Sequence, residues 1–177
     1  EQNLIDCSRD HGNEGCKGGL IDAAFKYIKE NGGVETEERY PYEGKEAECR
    51  YEYPAPVATV MGYQFVLPRG DEEALKKAVA TIGPIAIAID GSSKSFQLYR
   101  DGIYFDSECS SEVQTHALLL VGYDVDEKTG IEYWLVKNYW GTNWGDEGFA
   151  KIARNRDNHC SVASHAIYLL ANSFIPT

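Results

Sequence analysis

Histidine and cysteine are the residue types in this sequence best suited to nucleophilic or metal chemistry. The chain contains four histidines and five cysteines. No two cysteines form a C-x2-C pair and no two histidines lie three to five residues apart, so zinc has no local ligand pair. We therefore expect no metal site and no cofactor. His11 and His159 stand among polar residues and are predicted to be ordinary surface groups.

His116 and Asn138 are the two residues whose positions suggest catalysis. A thiol attacks well only as a thiolate, an adjacent imidazolium holds it in that form, and the imidazole needs an orienting partner on its other nitrogen. His116 opens an apolar stretch, and Asn138 lies 22 residues later at the end of the next predicted strand. A strand–turn–strand return can therefore bring them together, and an uncharged amide suits a thiolate–imidazolium pair. The plainer alternative for His116 is a hydrogen-bonded core histidine.

Two helices are predicted in the first half of the chain. Residues 20–31 carry apolar side chains at helical spacing, and the Gly-Gly pair at 32–33 supplies a stop. A second helix begins at Asp71, a favourable N-cap, and must end at the Gly-Pro pair at 83–84.

A polar segment separates these helices. Residues 35–52 hold seven acidic side chains and are broken by proline and glycine, so they are predicted to form an extended, solvated surface loop. Pro54 and Pro56 close this segment and make a plausible domain boundary.

The sequence after residue 84 changes to short apolar or alternating runs separated by Gly, Asp and Asn. Such runs are strand signals, and their spacing is close to that of a barrel. The first third is thus helical and rich in loops, the rest is mainly β, and the fold class is α+β. The predicted strands are residues 85–89, 117–123, 132–136 and 148–152.

Composition excludes several classes of protein. With 43% apolar residues the chain can bury a full core, which excludes disorder. The 28 acidic residues exceed the 17 Lys and Arg, and a net charge of -11 repels phosphate backbones, so nucleic acid is not expected as a partner. No apolar run approaches a bilayer span, so we expect no membrane partner. The chain opens with Glu1 and is expected to be processed or partial.

Three motifs stand in a fixed order along the chain: NEGCKGG at 13–19, QTHA at 114–117 and KNYWGTNWG at 137–145. In this order they resemble the papain-like cysteine proteases, most closely the cathepsin L group. Supporting segments, such as YPYEG, ATIGPIAIAID and RNRDNHC, extend the resemblance over nearly the whole chain. It implies a papain-like fold in which a helical domain and a β-barrel domain meet at a cleft. Residues 1–62 would be the remainder of the helical domain and residues 63–177 the β-barrel domain.

The resemblance also implies roles for individual residues. His116 would act as base and then acid, Asn138 would orient it, and Trp140 would cover their hydrogen bond from water. Gly18 and Gly19 leave backbone groups accessible, and Gly19 would pair with an extended peptide substrate. A tight turn before the following helix is a compatible reading of the two glycines.

A selectivity pocket for the substrate residue two before the cut is implied as well. Most of its residues are apolar, which predicts a preference for aliphatic or aromatic side chains. His165 departs from the cathepsin L group, which usually has a small residue there. A titratable floor would make substrate choice depend on pH, whereas a histidine that points elsewhere would not. The implied pocket residues are Leu20, Ile21, Ala88, Gln114, Ala117 and His165.

The nucleophile of this family is missing from the sequence. No C-G-S-C-W-type signature occurs, and neither Cys7 nor Cys16 has a fitting context. The family's spacing of roughly 130–150 residues from cysteine to histidine puts the nucleophile about 14–34 residues before Glu1. The family's oxyanion glutamine is absent too. We therefore expect that an N-terminal segment is missing and that the chain alone is inactive.

The odd cysteine count agrees with this expectation. By resemblance, Cys7 pairs with Cys49 and Cys109 pairs with Cys160. Cys16 is left unpaired, because its family partner lies beside the missing nucleophile. Two disulfides indicate an oxidising compartment, so a lysosomal or secreted location is expected.

Other functions remain open at this stage. Thr115 replaces the usual Asp or Asn, Tyr139 replaces the usual Ser, and Ala117 replaces a Gly of the closest group. Because Thr115 and Tyr139 flank the predicted pair, a catalytically inactive homologue that acts as a binding protein is the main alternative. A small secreted β-domain held by disulfides is another. The expected partners are protein or peptide substrates, together with a propeptide or the missing N-terminal segment.

Overall fold

A computed structural model describes residues 1–52 and 58–170. Its longer helices, α2 and α3, confirm the two that the sequence predicts. The predicted boundary at Pro54 and Pro56 lies outside the described residues. Within those residues no helix has both the length and the apolar character needed to cross a bilayer. The α-helices are α1 Gln2–Cys7, α2 Ile21–Glu30, α3 Glu72–Ile82 and α4 Lys94–Gln97.

The limits of α3 follow from its capping residues. The Asp71 side chain accepts hydrogen bonds from the backbone N–H groups of Glu73 and Ala74, which would otherwise lack partners in the first turn. Gly83 ends the helix at φ 119°, a conformation that favours glycine. Leu75 and Val79 face the core on the apolar side, so caps and periodicity together specify this element.

Seven strands are found among the described residues, and they include the four predicted from sequence. The strands are β1 Gly62–Phe65, β2 Ile85–Ile89, β3 Ile103–Tyr104, β4 His116–Val125, β5 Glu132–Lys137, β6 Phe149–Ala153 and β7 His165–Leu170. They form one sheet in the order β1-β7-β2-β4-β5-β6-β3. The pairs β2–β4, β4–β5, β5–β6 and β2–β7 are antiparallel, and β3–β6 is parallel.

The sheet is not closed, which corrects the expected β-barrel. Strands β1 and β3 stand at the two ends of the strand order, and within the described residues they do not pair with each other. Closure requires hydrogen bonds between the end strands. Here the end strands have only four and two residues, so little backbone is available for such pairing.

Two compact units make up the chain. The first comprises Glu1–Gln64 and the stretch from Leu169 onward, and the second comprises Phe65–Tyr168. The second unit buries a contiguous apolar core that includes Leu75, Ile87 and Trp134. In the first unit, residues 35–52 form no helix or strand and are largely exposed, as the polar composition of that segment predicts. The domain limits drawn from the sequence stay a prediction.

Candidate active site

A hydrogen bond joins the two residues that the sequence suggests as a catalytic pair. His116 Nε2 lies 2.9 Å from Asn138 Oδ1. His116 is the first residue of β4 and Asn138 directly follows β5, so the antiparallel β4–β5 pairing brings the two together. The Asn138 backbone is itself held, because its N–H donates to the Gly148 carbonyl at 2.9 Å.

The hydrogen bonds of Asn138 determine which nitrogen of His116 carries a hydrogen. The backbone N–H of Tyr139 donates to Asn138 Oδ1 at 2.8 Å, which identifies this atom as the amide oxygen. An amide oxygen only accepts hydrogen bonds, so His116 Nε2 must be protonated and donate to it. In the neutral imidazole Nδ1 is then the unprotonated nitrogen, which is available as a base.

Backbone packing holds the His116 ring from the side of β2. A Cβ on Gly91 would lie 2.7 Å from the Cβ of His116, so only glycine permits this close approach. The Gly91 N–H donates to Thr115 Oγ1 at 3.1 Å, and the Thr115 N–H donates to the Ile89 carbonyl at 2.8 Å. Thr115 therefore helps to hold the backbone beside His116.

Aromatic rings surround His116. The Trp140 ring centroid lies 4.6 Å from that of His116, and Tyr139 lies at 5.0 Å. Phe96, which is fully buried, approaches edge-on at 6.0 Å. Burial lowers the pKa of His116 below its usual value, and the hydrogen bond with Asn138 opposes that effect.

Gly18 and Gly19 lie in the first unit, beside a shallow cavity of about 220 Å3. Gly18 adopts φ 111°, which favours glycine, and its carbonyl accepts from the Glu14 N–H at 2.8 Å. A Cβ on Gly19 would overlap Asn13 Oδ1. Within the described part of the chain, no hydrogen bond reaches the backbone of Gly19, and the residue is exposed. Leu20 and Ile21 line the same cavity.

Asn13 positions this glycine segment, a role that the sequence interpretation missed. Its Oδ1 accepts the Leu20 N–H at 2.9 Å, and its Nδ2 donates to Ser8 Oγ at 2.8 Å. Asn13 begins the first motif, but an asparagine in a polar, glycine-rich segment carries no further sign that its side chain anchors the backbone.

Three of the predicted pocket residues form a row across adjacent strands of the second unit. Ala88 of β2 pairs directly with Ala117 of β4 on one side and with His165 of β7 on the other. Directly opposed residues share one face of a sheet, and the alternate residues Ile87 and Ile89 are fully buried on the other face. The row is therefore on the less buried face.

His165 and Gln114, two further predicted pocket residues, contact other side chains of the second unit. The His165 ring packs edge-on against Phe65 at 5.3 Å. Gln114 is exposed, and its Nε2 donates to Ser161 Oγ at 3.0 Å and to the Glu112 carbonyl at 3.2 Å.

The cysteines form two disulfides. Cys7 is bonded to Cys49 in the first unit, and Cys109 is bonded to Cys160 in the second. These are the pairs that the resemblance implies, and Cys16 is free and exposed.

The predicted surface position of His159 is wrong, because only 5% of this residue is exposed. Its Nε2 lies 3.0 Å from both the backbone nitrogen and the carbonyl oxygen of Asp106, and Phe105 stacks on its ring at 4.8 Å. Burial lowers the pKa of His159. His159 lies with Cys109 and Cys160 in a group of ligand-type atoms within 4.8 Å of one another, but the two sulfurs are bonded together and offer no thiolate.

Comparison with known proteins identifies the family of this chain. The family model "Papain family cysteine protease" matches residues 1–170. A cathepsin L-like peptidase of Aedes aegypti is 56% identical over 170 residues, covering 96% of this chain and 50% of that protein. Procathepsin L of Mus musculus is 52% identical over 174 residues, covering 97% of this chain and 52% of that protein. This chain belongs to the papain family of cysteine proteases.

Solved structures show the same fold. Digestive procathepsin L 3 of Tenebrio molitor superposes with a TM-score of 0.90 at 42% identity, covering 96% of this chain and 54% of that one. The proform of the ragweed pollen allergen Amb a 11, a cysteine protease, superposes with a TM-score of 0.87 at 40% identity. The match covers 97% of this chain and 52% of that one. The chain thus spans about half the length of the relatives that it matches.

Proposed function

We propose that this chain supplies the acid–base part of a cathepsin L-like cysteine endopeptidase. The observation that carries the proposal is the His116–Asn138 hydrogen bond, in which Nε2 is protonated and Nδ1 is left as the basic nitrogen. The sequence contains no C-G-S-C-W-type nucleophile segment, and we propose that the 177-residue chain does not hydrolyse peptides by itself.

The proposed reaction proceeds through an acyl-enzyme. A cysteine thiolate, paired with protonated His116, attacks the peptide carbonyl carbon. His116 Nδ1 then gives its proton to the amine as the C–N bond breaks, leaving a thioester. A water molecule next gives a proton to His116 and attacks the thioester, which releases the acid and restores the thiolate. Asn138 keeps the imidazole oriented in both steps without adding charge.

Peptides and proteins are the proposed substrates. The exposed backbone of Gly19 can pair with an extended peptide in the manner of a β-strand. The apolar residues Ala88, Ala117, Leu20 and Ile21 support a preference for apolar side chains two residues before the cut. His165, the titratable member of the proposed set, would make that preference depend on pH. Gln114 and Gly18 complete the proposed set of binding residues, and Trp140 shields the His116–Asn138 hydrogen bond.

A propeptide is a further proposed partner, since two of the similar structures are of proforms. The two disulfides support a lysosomal or secreted location, because such bonds persist in oxidising compartments.

The alternative proposal is a catalytically inactive homologue that serves as a binding protein. The Tyr139 hydroxyl lies 3.3 Å from His116 Nδ1, the nitrogen that a thiolate would use, and this observation favours the alternative. The unusual Thr115 and the acidic loop at residues 35–52 also support it.

The residue at the nucleophile position of the parent transcript separates these proposals. Cysteine supports the enzyme, whereas serine or glycine supports the binding role. In a parent with cysteine, His116→Ala should reduce kcat by about three orders of magnitude or more. His11→Ala, a change in a histidine outside the proposed site, should leave kcat unchanged. Equal activity of the His116→Ala variant and the parent would contradict the proposed reaction.

A further inference from the structure

We propose that Tyr139 is a positioning residue whose hydroxyl caps His116 Nδ1 and must be displaced before that nitrogen can exchange a proton with a nucleophile. The inference rests on the proposed function only in identifying the displacing group as a thiol. The contact itself is an observation on the described chain, with 3.3 Å between the Tyr139 hydroxyl oxygen and His116 Nδ1.

The direction of this hydrogen bond follows from the other side of the ring. Because Asn138 Oδ1 receives the Tyr139 backbone N–H at 2.8 Å, it is an acceptor, and His116 Nε2 must donate to it. Neutral His116 then has an unprotonated Nδ1, which can only accept. The Tyr139 hydroxyl is therefore the donor. One residue thus acts on both nitrogens, on Nε2 through its backbone and Asn138, and on Nδ1 through its side chain.

The cap is weakly held, as a displaceable group should be. Tyr139 is 71% exposed. Its ring lies 5.0 Å from the His116 ring at an interplanar angle of 36°, and 6.5 Å from the Trp140 ring. At 3.3 Å the hydroxyl contact is longer than the usual O–H···N or O–H···O bond. Rotation of the exposed side chain into water would therefore free Nδ1 without disturbing the Asn138 hydrogen bond.

Tyr139 differs from the other aromatic neighbours of His116 because its side chain places a hydroxyl group beside Nδ1. Trp140 and Phe96 cover the ring, but within the described residues neither forms a hydrogen bond with it. Trp140 is 38% exposed and Phe96 is fully buried. Tyr139 adds a polar group at the reactive nitrogen. A serine side chain at this position would be too short to span the same distance from the backbone.

The test measures the nitrogen-15 chemical shifts of Nδ1 and Nε2 of neutral His116 in the 177-residue chain. Nitrogen-15 NMR at about pH 8, well above an ordinary histidine pKa, compares the unaltered chain with Tyr139→Phe, which keeps the ring and removes the hydroxyl. Tyr42→Phe makes the same chemical change at an exposed tyrosine of the first unit and is the matched control. His116→Gln assigns the signals. Tyr139→Ser is a second variant that removes the ring as well.

We expect the Nδ1 signal to move downfield in Tyr139→Phe and Tyr139→Ser, toward that of a free nitrogen, while Nε2 keeps its hydrogen. Carbethoxylation of His116 by diethyl pyrocarbonate, followed by mass spectrometry, should be about two- to tenfold faster in both variants, the factor expected for one lost neutral hydrogen bond. Tyr42→Phe should change neither measurement.

An unchanged Nδ1 signal and modification rate in Tyr139→Phe would overturn the proposal. A change confined to Tyr139→Ser would also overturn it, because the ring and not the hydroxyl would then be responsible. Neither measurement needs peptidase activity. An inactive parent would therefore contradict the proposed function and leave the cap in place, whereas loss of the cap would leave the proposed function standing.

Discussion

Among the described residues, the first compact unit has few buried apolar side chains, whereas the second has a contiguous apolar core around its strands. In residues 1–52, 58–64 and 169–170 of the first unit, the buried apolar residues are Ala23, Tyr27, Ile28 and Tyr40. In the second unit, large residues such as Trp134, Phe96 and Ile87 are fully buried. Apolar burial therefore stabilises the second unit to a greater extent, and the first must depend more on specific polar bonds and its disulfide.

Buried polar side chains organise the loop of the first unit. Asp6 accepts hydrogen bonds from Gln2 Nε2 at 2.8 Å, the Ala47 N–H at 2.9 Å and the Tyr40 hydroxyl at 3.0 Å. Gln2 also donates to the Lys45 carbonyl at 2.7 Å. Because the segment at 35–52 contains no helix or strand, these side chains supply partners for its backbone.

The second unit uses one buried carboxylate in a similar way. Glu72 accepts from Trp134 Nε1 at 2.9 Å and from the backbone N–H groups of Asn155 at 2.8 Å and Asn158 at 3.1 Å. Glu72 is the first residue of α3, and its carboxylate joins this helix to β5 and to the segment that follows β6. Gly19 of the first unit has an exposed backbone, whereas His116 of the second unit is paired with Ile89 between β4 and β2.

Removal of the disulfides should give the largest difference between the units. The bonds close loops with sequence separations of 42 and 51 residues, so chain entropy alone predicts a similar loss of about 4 kcal/mol for each. We expect Cys7→Ala with Cys49→Ala to unfold the first unit locally, because its apolar core is small. Cys109→Ala with Cys160→Ala should leave the second folded but less stable. Hydrogen exchange measures both, and equal loss of protection would contradict the comparison.

Substitution of the two buried carboxylates is the next test. Asp6→Asn and Glu72→Gln each turn one acceptor oxygen into a donor facing N–H or O–H groups, which should destabilise the fold by about 2–3 kcal/mol. Denaturant unfolding gives the totals, and hydrogen exchange should show release of residues 43–47 in the first case and 155–158 in the second. The exposed neighbours provide controls: Asp10→Asn and Glu73→Gln should change stability by less than about 0.5 kcal/mol. Equal effects in variant and control would refute this role.

A methyl group beside His116 should have a smaller and more local effect. Gly91→Ala places a Cβ 2.7 Å from the His116 Cβ, and we expect a loss of about 1–3 kcal/mol with a displaced imidazole. Gly122→Ala is the matched control. Gly122 lies in β4, the strand that begins at His116, and a Cβ at this position would meet no atom within 4 Å. Thermal unfolding and the NMR signals of His116 report the two effects. Unchanged His116 signals in Gly91→Ala would show that this contact does not position the ring.

Acid should reduce the stability of the second unit, and we expect this reduction to be smaller than those caused by the substitutions above. Burial lowers the pKa of His116 and His159 in the folded chain. Below about pH 6.5 the unfolded chain therefore binds more protons than the folded one, and the free energy of unfolding decreases as the pH decreases. Hydrogen bonds from Ser95 and Ser93 lower the pKa of Asp106 to about 2, so a further loss follows as the pH falls from about 4 toward 2.

Tryptophan fluorescence measures this change selectively, because all three tryptophans lie at positions 134–144 of the second unit. Asp106→Asn should reduce the pH dependence between about pH 4 and 2. His159→Gln should reduce it near pH 6.5. If the urea midpoint stays constant from pH 8 to 5 in the unaltered chain, the inferred effect of histidine burial is wrong.

Local signals in the sequence were sufficient for the main elements. Helix α3 was predictable because Asp71, the apolar spacing and Gly83 all act within a few residues of one another. The approach of His116 to Asn138 was also predictable, since it needs only a hairpin between neighbouring strands. The row of Ala88, Ala117 and His165 was not, because pairing of β7 with β2 joins distant parts of the chain; only family resemblance grouped these residues.

The sequence by itself determined helices α2 and α3, strands β2, β4, β5 and β6, and the family, because each depends on residue type and short spacing. It also indicated His116 and Asn138 as the candidate acid–base pair. Tertiary structure alone decided that the sheet stays open and that His159 is buried against Asp106, 53 residues away. It also decided that the Tyr139 hydroxyl reaches the free nitrogen of His116. These features depend on distances between chain segments and on side-chain direction, neither of which a linear pattern encodes.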